Sequence, residues 1–211
     1  MLKTIRLSAY ALIALAAFAW AIAWLRPDLF DRALRGATSG VAGVSIPGGI
    51  SVGGPFTLTD TEGREVTEKT YAGRFMLVYF GYTFCPDVCP TELQVIANAL
   101  DLLGPAAARI APLFVTIDPE RDTVTTMAEY VKLFDPRLVG LTGTEAQIAA
   151  AARAYRVYRA KSNAKDSTSY LMDHSSFIYL MGPDGGFRAL FRQGMAPQEL
   201  ADAIKAKLAG S

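Results

Sequence analysis

Residues 75–103, FMLVYFGYTFCPDVCPTELQVIANALDLL, decide the fold of this chain. They open on FMLVYF (75–80), a short continuous apolar run that is typical of a strand buried on both faces. They close on TELQVIANALDLL (91–103), in which leucine and isoleucine recur at helical spacing. The turn between these two segments contains both cysteines of the chain. The stretch therefore predicts a buried strand, a turn at its carboxyl end, and a helix, which is where open α/β sheets place their functional sites.

The same patterns continue on both sides of this stretch. LFVTI (113–117) predicts a second buried strand, and the alanine-rich segment 144–155 predicts another helix. The remaining predicted elements are strands at 56–59, 64–67, 138–141, 177–181 and 187–191, and helices at 123–134 and 197–208. A strand–helix–strand order that ends in a hairpin and a helix predicts an α/β domain, thioredoxin-like, with a central mixed sheet.

Length and composition narrow the function classes. A chain of 211 residues suits one domain with an appendage. The net charge is only +1, so no basic excess is available to neutralise a phosphate backbone, and nucleic acid is excluded as an expected partner. Two cysteines and one histidine are too few for a disulfide framework, a four-thiolate zinc site or an iron–sulfur cluster.

The N-terminus carries an apolar segment. Residues 7–25 contain no charged side chain, and these 19 residues would form roughly 28 Å of helix, enough for the hydrocarbon core of a bilayer. The run is longer than the usual h-region of about 7–15 residues in a cleaved signal peptide, the alternative interpretation. We therefore predict a single-pass anchor over residues 1–26, with its short tail in the cytosol. No room precedes residue 7 for a mitochondrial presequence, which favours a bacterial inner membrane with the C-terminal domain in the periplasm.

A glycine-rich segment separates this predicted anchor from the domain. Between residues 36 and 54, seven of the 19 residues are glycine. Such a composition is typical of a flexible tether. We predict a linker over residues 27–54 and the folded domain over residues 55–211.

Cys85 and Cys89 form a C-x3-C motif, one residue longer than the C-x2-C of ordinary thiol redox motifs. Pro90 disfavours helical geometry at Cys89 and suits the first helical position, so we expect Cys89 at the helix N-cap and Cys85 in the turn before it. Glu92 then falls at the position of a capping-box acid. Amide groups exposed at this end of a helix lower the pKa of a thiol. The spacing allows a disulfide, and it equally allows both sulfurs to face one metal ion.

His174 is the only histidine, and it stands just before the predicted strand FIYLM (177–181). Only the fold can bring it to the cysteines. Two soft thiolates select Cu(I) but leave it under-coordinated, and an imidazole suits copper as a third ligand. Two thiolates and one imidazole without a fourth donor disfavour a structural zinc site. Asp173 is expected either to orient the imidazole or to be a solvated acid.

Plainer interpretations stay open at this point. The two cysteines could form a structural disulfide, the commonest use of a cysteine pair in a secreted domain. A lone histidine is more often an ordinary hydrogen-bonded polar residue than a metal ligand. The acidic segment DPERD (118–122) follows a predicted strand at the same sheet edge as the cysteines, and we interpret it as the turn into the next helix rather than as a metal site.

Taken together, these motifs resemble those of the Sco/SenC family, membrane-anchored copper-binding proteins that help to assemble cytochrome c oxidase. The similar stretches are GYTFCPDVCPTEL (81–93), FVTIDPERDT (114–123), LVGLTGT (138–144), ARAYRVY (152–158) and DHSSFIYLMGPDG (173–185). The resemblance implies a thioredoxin-like fold and copper, Cu(I) or Cu(II), bound by Cys85, Cys89 and His174. One departure is Phe84, which stands where some relatives have histidine, at a position that is not a ligand in the family.

Two functions compete on this basis. The first is a copper chaperone that delivers its metal to the dinuclear copper centre in the copper-containing subunit of the oxidase, after receiving it from a periplasmic donor protein. The second is a thiol–disulfide reductase that uses Cys85 and Cys89 as a redox-active pair to keep the oxidase cysteines reduced. Of these two functions, the metallochaperone is favoured over the enzyme. A peroxiredoxin-like peroxidase ranks last, because Asp87 stands in the motif where an activating cation would be needed.

Overall fold

The computed structural model describes residues 51–162 and 170–210. The predicted anchor over residues 1–26 and nearly all of the predicted linker over residues 27–54 lie outside this part of the chain. Within the described residues, no helix combines the length and the apolar character that a membrane span requires.

Within the described residues, nine strands form two sheets. The strands are β1 (Thr57–Asp60), β2 (Glu65–Thr67), β3 (Phe75–Gly81), β4 (Ile110–Thr116), β5 (Val139–Thr142), β6 (Arg159–Ser162), β7 (Leu171–His174), β8 (Phe177–Met181) and β9 (Phe187–Arg192). Seven of them make the main sheet, in the order β2-β1-β5-β4-β3-β8-β9, and β6 and β7 pair separately.

The main sheet is mixed, as the sequence predicted. Strands β3, β4 and β5 are parallel, whereas β1 and β8 flank them in the antiparallel direction. All seven residues of β3 and all seven of β4 are buried, which explains their continuous apolar sequences. The thioredoxin-like prediction is thereby confirmed, and the carboxyl ends of β3 and β4 meet at one sheet edge.

In the part of the chain that the structure describes, four α-helices accompany the sheet. They are α1 (Val88–Leu103), α2 (Val124–Lys132), α3 (Glu145–Ala154) and α4 (Pro197–Ala209). Helix α1 packs against α4, α2 packs against β5, and α3 packs against β1. Thr123 and Thr144 cap α2 and α3 by accepting a hydrogen bond from the backbone N–H three residues later.

The start of α1 corrects one expectation. The N-cap is Asp87, so Cys89 is the second helical residue and Pro90 the third. Proline is tolerated there because N–H groups of the first turn have no partner within the helix. Glu92 is consequently not a capping-box acid: it is buried and accepts a hydrogen bond from the backbone N–H of Gly194 at 2.8 Å.

The hairpin of β6 and β7 is a feature that the sequence did not predict. His174 is the last residue of β7, opposite Arg159, rather than a free residue ahead of β8. None of the residues of β6 is fully buried, so the strand lacks the apolar alternation by which strands are recognised in a sequence.

Candidate metal centre

The two cysteines lie where β3 leads into α1. Cys89 is fully buried in the first turn of α1, and Cys85 is half-buried in the preceding turn. The backbone N–H of Cys89 donates a hydrogen bond to Cys85 Sγ at 3.3 Å. Gly81 lets the Cys89 side chain pack closely against the end of β3. A Cβ at this position would stand 2.9 Å from Cys89 Sγ and 2.8 Å from the ring of Phe114.

Both cysteines are free in this structure, and the pKa values of their thiols are shifted in opposite directions. A hydrogen bond from the Cys89 side chain lowers the pKa of Cys85 to about 4, with further help from His174 and from the backbone N–H groups of Cys89 and Asp87. The same contact, together with burial, raises the pKa of Cys89 above its usual value. The pair therefore holds one thiolate, on the accessible sulfur, and one thiol, on the buried sulfur.

His174 lies next to Cys89 in the folded domain. Its Nε2 lies 3.7 Å from Cys89 Sγ, although the two residues are 85 positions apart. Its Nδ1 lies 3.1 Å from the carbonyl oxygen of Ser175. A carbonyl can only accept, so we assign a proton to Nδ1, and Nε2 is the ring nitrogen that faces the sulfur.

Asp173 does not take part in orienting the ring. Its side chain is exposed on β7, whereas the backbone carbonyl of Ser175 contacts Nδ1. Of the two roles expected for Asp173, the structure favours the solvated acid. A backbone carbonyl performs the task that was considered for the carboxylate.

Two tyrosine rings form the wall behind the imidazole. Tyr79 and Tyr82 meet the ring of His174 edge-on, with centroids 6.5 Å and 6.1 Å away. The Tyr82 hydroxyl also accepts a hydrogen bond from the backbone N–H of Met172 at 3.2 Å, which ties β7 to the cysteine turn. The Tyr79 hydroxyl is buried next to the Cys89 side chain, and burial, with a smaller contribution from Cys89, raises its pKa.

The spacing of the donors bears on whether one ion can bind them. Metal–sulfur and metal–imidazole bonds of roughly 2.3 Å and 2.0 Å require the two donor atoms to be no more than about 4.3 Å apart. The separation of 3.7 Å between Cys89 Sγ and His174 Nε2 satisfies this limit. Across residues 51–162 and 170–210, however, no three cysteine, histidine or carboxylate side chains already stand as a complete ligand set. Cys89 Sγ and His174 Nε2 are close enough to share one ion, and Cys85 Sγ accepts a hydrogen bond from the backbone N–H of Cys89.

A buried carboxylate holds the cysteine turn against the sheet. Asp122 accepts hydrogen bonds from the hydroxyls of Thr83 and Thr116, both at 2.6 Å, and from the backbone N–H of Thr83. Its own carbonyl oxygen accepts a hydrogen bond from Thr142. Desolvation raises the pKa of this fully buried acid, and the threonine hydrogen bonds oppose that rise. Segment 118–122 is thus the turn into α2 that the sequence predicted, and Asp122 anchors the turn that follows β3.

Four residues around the site were not predicted from the sequence to belong to it. They are Tyr79, Tyr82, Asp122 and Ser175. Tyr79 lies within the apolar strand β3 and Tyr82 directly follows it, so neither differs in sequence from an ordinary core residue. Ser175 acts through its backbone carbonyl. Asp122 had one usable signal. An acid directly before the N-cap threonine of a helix, at the functional edge of the sheet, is well placed to receive hydrogen bonds from neighbouring strand ends.

Comparison with known proteins identifies the family of this chain. The sequence profile of the SCO1/SenC family matches residues 45–209, which is most of the chain. The chain belongs to the SCO1/SenC family. A curated relative is the human protein SCO1 homolog, mitochondrial, which is 45% identical over 155 residues, covering 72% of this chain and 52% of the relative. This Sco chain thus spans about half the length of the curated relatives that it matches.

Solved Sco structures share the fold. Arabidopsis thaliana ScoI with copper bound has a TM-score of 0.72 at 40% identity and covers 76% of this chain and 99% of that protein. Bradyrhizobium japonicum ScoI with copper bound has a TM-score of 0.69 at 46% identity, covering 74% and 99% respectively. In both comparisons the resemblance extends over nearly the whole of the relative's solved chain.

Proposed function

We propose that this Sco protein binds copper through Cys85, Cys89 and His174 and delivers it to the copper-containing subunit of cytochrome c oxidase. The observation that carries the proposal is the 3.7 Å approach of His174 Nε2 to Cys89 Sγ across 85 residues of sequence. Membership of a family that takes part in copper delivery and oxidase assembly supports the same conclusion. So do the two Sco relatives that were solved with copper bound.

The donor chemistry suits a carrier. Two thiolate sulfurs and one imidazole nitrogen are soft donors, which favour Cu(I), and the imidazole also suits Cu(II). Cys85 is half-buried, so its sulfur is accessible to an incoming donor or acceptor protein. Cys89 is a thiol in the copper-free chain and must release its proton to become a ligand.

The cellular setting is part of the proposal. Residues 1–26 would anchor the chain in a bacterial inner membrane, and residues 27–54 would tether the domain of residues 55–211 in the periplasm. A tether of this composition lets the domain reach both a periplasmic copper donor and the oxidase subunit while staying close to the membrane.

A thiol–disulfide reductase is the second candidate. It is favoured by the free thiol pair, in which the accessible Cys85 has a low pKa and is a ready nucleophile. In this reaction the Cys85 thiolate attacks a disulfide of the oxidase subunit and releases one of its sulfurs as a thiolate. Cys89 then attacks the mixed disulfide, so that the cysteine pair is oxidised and the target is reduced. This reaction needs no copper and no histidine.

Replacement of His174 by alanine separates the two functions. His174→Ala removes one of three donors, so copper affinity should fall at least about tenfold, while reduction of an insulin-type disulfide should continue. Affinity is measured by competition with a Cu(I) chelator on the full-length chain. The matched control is Gln94→Ala, which alters an exposed side chain on α1 that donates a hydrogen bond to Asn98.

The opposite result would remove the histidine from the site. Copper affinity in His174→Ala equal to that of wild type and of Gln94→Ala would contradict the ligand assignment. Oxidase assembly that continues in His174→Ala despite a loss of copper affinity would favour the reductase over the chaperone. Cys85→Ser and Cys89→Ser should each abolish both activities.

A further inference from the structure

The hairpin of β6 and β7 carries His174 but is not part of the main sheet. Its base is closed by two hydrogen bonds between Tyr158 and Ser175, at 3.1 Å and 3.2 Å. Beyond this base, the side chain of Met172 is buried in the core, and the far end of β7 at Tyr170 is attached to the domain through polar and cation–π contacts. The position of His174 over the cysteines therefore depends on what holds the rest of the hairpin down.

Arg121 makes the densest set of these contacts. Its guanidinium carbon lies 3.8 Å from the ring centroid of Tyr170, 4.6 Å from that of Phe84 and 5.8 Å from that of Tyr82. Its Nη1 donates a hydrogen bond to the carbonyl oxygen of Tyr170 at 2.9 Å. The Tyr170 hydroxyl in turn donates to Asp118 at 2.7 Å, and Asp118 also accepts from Arg121 Nε.

These contacts connect the segments that bear the site. Phe84 is the residue before Cys85, and Tyr170 is the residue before β7, which ends at His174. Arg121 itself lies in the turn that Asp122 fastens to the cysteine turn. Phe84 would otherwise be an unexplained exposed aromatic side chain, since 56% of its surface is accessible. The guanidinium gives that ring a partner next to the cysteine motif.

A second cation on the same ring is much less well placed. Lys161 Nζ lies 4.5 Å from the centroid of Tyr170 and pairs with Glu120 at 2.6 Å. About half of each of these two side chains is exposed, 48% for Lys161 and 60% for Glu120, whereas only 17% of Arg121 is exposed. Exposed pairs contribute little because water and salt screen them, so Arg121 is the stronger fastening.

Lysine could not replace this arginine without loss. The planar guanidinium stacks on aromatic rings while Nε and Nη1 donate to two acceptors in a fixed fork. An ammonium is a point charge on a flexible stem and cannot reach Asp118, the carbonyl of Tyr170 and two ring faces at once. The geometry therefore depends on the shape of the side chain as well as its charge.

We infer that Arg121 is a positioning residue: it fastens β7 to the cysteine turn and thereby sets His174 Nε2 within bonding range of Cys89 Sγ. Its relevance to copper rests on the function proposed above. Its effect on the hairpin does not, because every contact that Arg121 makes there is with a protein group.

The test compares Arg121→Met with Lys161→Met in the full-length chain. Both variants remove a cation from the ring of Tyr170, but only the first removes the fork that grips its carbonyl. In the copper-free protein, the backbone amides of β7 should exchange with deuterium at least about tenfold faster in Arg121→Met, with amides of β3 unchanged. In Lys161→Met they should exchange as in wild type.

Copper provides the second readout. The Cu(II) absorption spectrum of Arg121→Met should shift towards that of His174→Ala, and Cu(I) affinity should fall about tenfold. Arg121→Lys, which keeps the charge, should recover only part of both effects. Lys161→Met should have the wild-type spectrum and affinity.

Three outcomes decide the matter. Wild-type exchange of the β7 amides in Arg121→Met would overturn the inference, whatever the copper result. If Arg121→Met accelerates exchange throughout the domain, Tyr170→Leu replaces it, because it removes the stacked ring and leaves Arg121 in place; wild-type exchange of β7 there would equally overturn the inference. If wild type itself binds no copper, the proposed function fails, while the exchange of β7 still tests the role of Arg121.

Discussion

At the residue scale, the two cysteines are made unequal by their surroundings. Cys85 is accessible, and its thiolate accepts hydrogen bonds from the Cys89 thiol and from backbone N–H groups, so its pKa falls. Cys89 has no accessible surface, and a charge there would be desolvated beside an existing thiolate, so its pKa rises. The accessible sulfur is thus prepared to react or bind first, and the buried sulfur follows.

Alkylation of the reduced, copper-free chain should show this asymmetry. We expect iodoacetamide to label Cys85 at a rate that is nearly constant from pH 8 down to about pH 5 and falls as pH approaches about 4, where the thiolate takes up a proton. Cys89 should stay unlabelled while the domain is folded. Mass spectrometry of the modified peptides measures both.

The Cys89→Ala variant is the control for this prediction. It removes the hydrogen-bond donor that contributes most to the low pKa of Cys85, so the labelling profile should move towards that of an ordinary thiol. A wild-type profile that keeps rising up to pH 9 would show that Cys85 is not a thiolate at neutral pH.

At the element scale, α1 is joined to the region before α4 through one buried carboxyl. Glu92 points into the interface where α1 packs on α4, and Oε1 accepts from the N–H of Gly194. Its other oxygen, Oε2, has no hydrogen-bond partner among the described residues. Burial raises the pKa of Glu92, so ionisation of this carboxyl costs more free energy in the native state than in the unfolded chain. The carboxyl secures the helix that bears Cys89, but its negative charge destabilises the fold.

We expect Glu92→Gln and Glu92→Ala to act in opposite directions at pH 7. Glutamine can keep the bond to Gly194 without a buried charge, so its free energy of unfolding should equal or exceed that of wild type. Alanine leaves the N–H of Gly194 unpaired and opens a cavity, which should cost about 2–4 kcal/mol. Urea unfolding followed by circular dichroism measures both.

The pH dependence checks the cause. Because the native pKa of Glu92 is raised above the unfolded value of 4.5, wild type should lose stability relative to Glu92→Gln as pH rises through that value, and the two should converge in more acidic solution. A difference between them that does not change with pH would exclude the buried charge as its source.

At the scale of the whole molecule, the pairing of β8 with β3 assembles the site. The register sets Tyr79 opposite Ile178 in antiparallel strands, so the residues ahead of β8 lie beyond the carboxyl end of β3. That is where the cysteine turn begins. A metal bound to Cys89 and His174 would therefore join segments 85 residues apart that the unfolded chain does not hold together.

Copper should consequently stabilise the whole domain. At a free Cu(I) concentration about 100 times the dissociation constant, a ligand that binds only the native state adds about 2.7 kcal/mol to the free energy of unfolding. Thermal unfolding of the full-length chain should show a higher Tm with Cu(I), and a Cu(I) chelator should reverse the gain. Cys85→Ser should show no such increase, and an equal increase in that variant would place the stabilising ion elsewhere.

Patterns formed by neighbouring residues were enough to predict several strands and helices and the position of the cysteines. Continuous apolar runs identified β3 and β4, helical spacing identified α1, and the C-x3-C motif located the cysteines at the sheet edge, because burial and backbone geometry impose these patterns over a few residues. The hairpin of β6 and β7, the approach of His174 to Cys89 and the stacking of Arg121 on Tyr170 became visible only in the folded domain. Each of these depends on groups that are distant in sequence, and their proximity follows from strand pairing across the sheet rather than from any local preference.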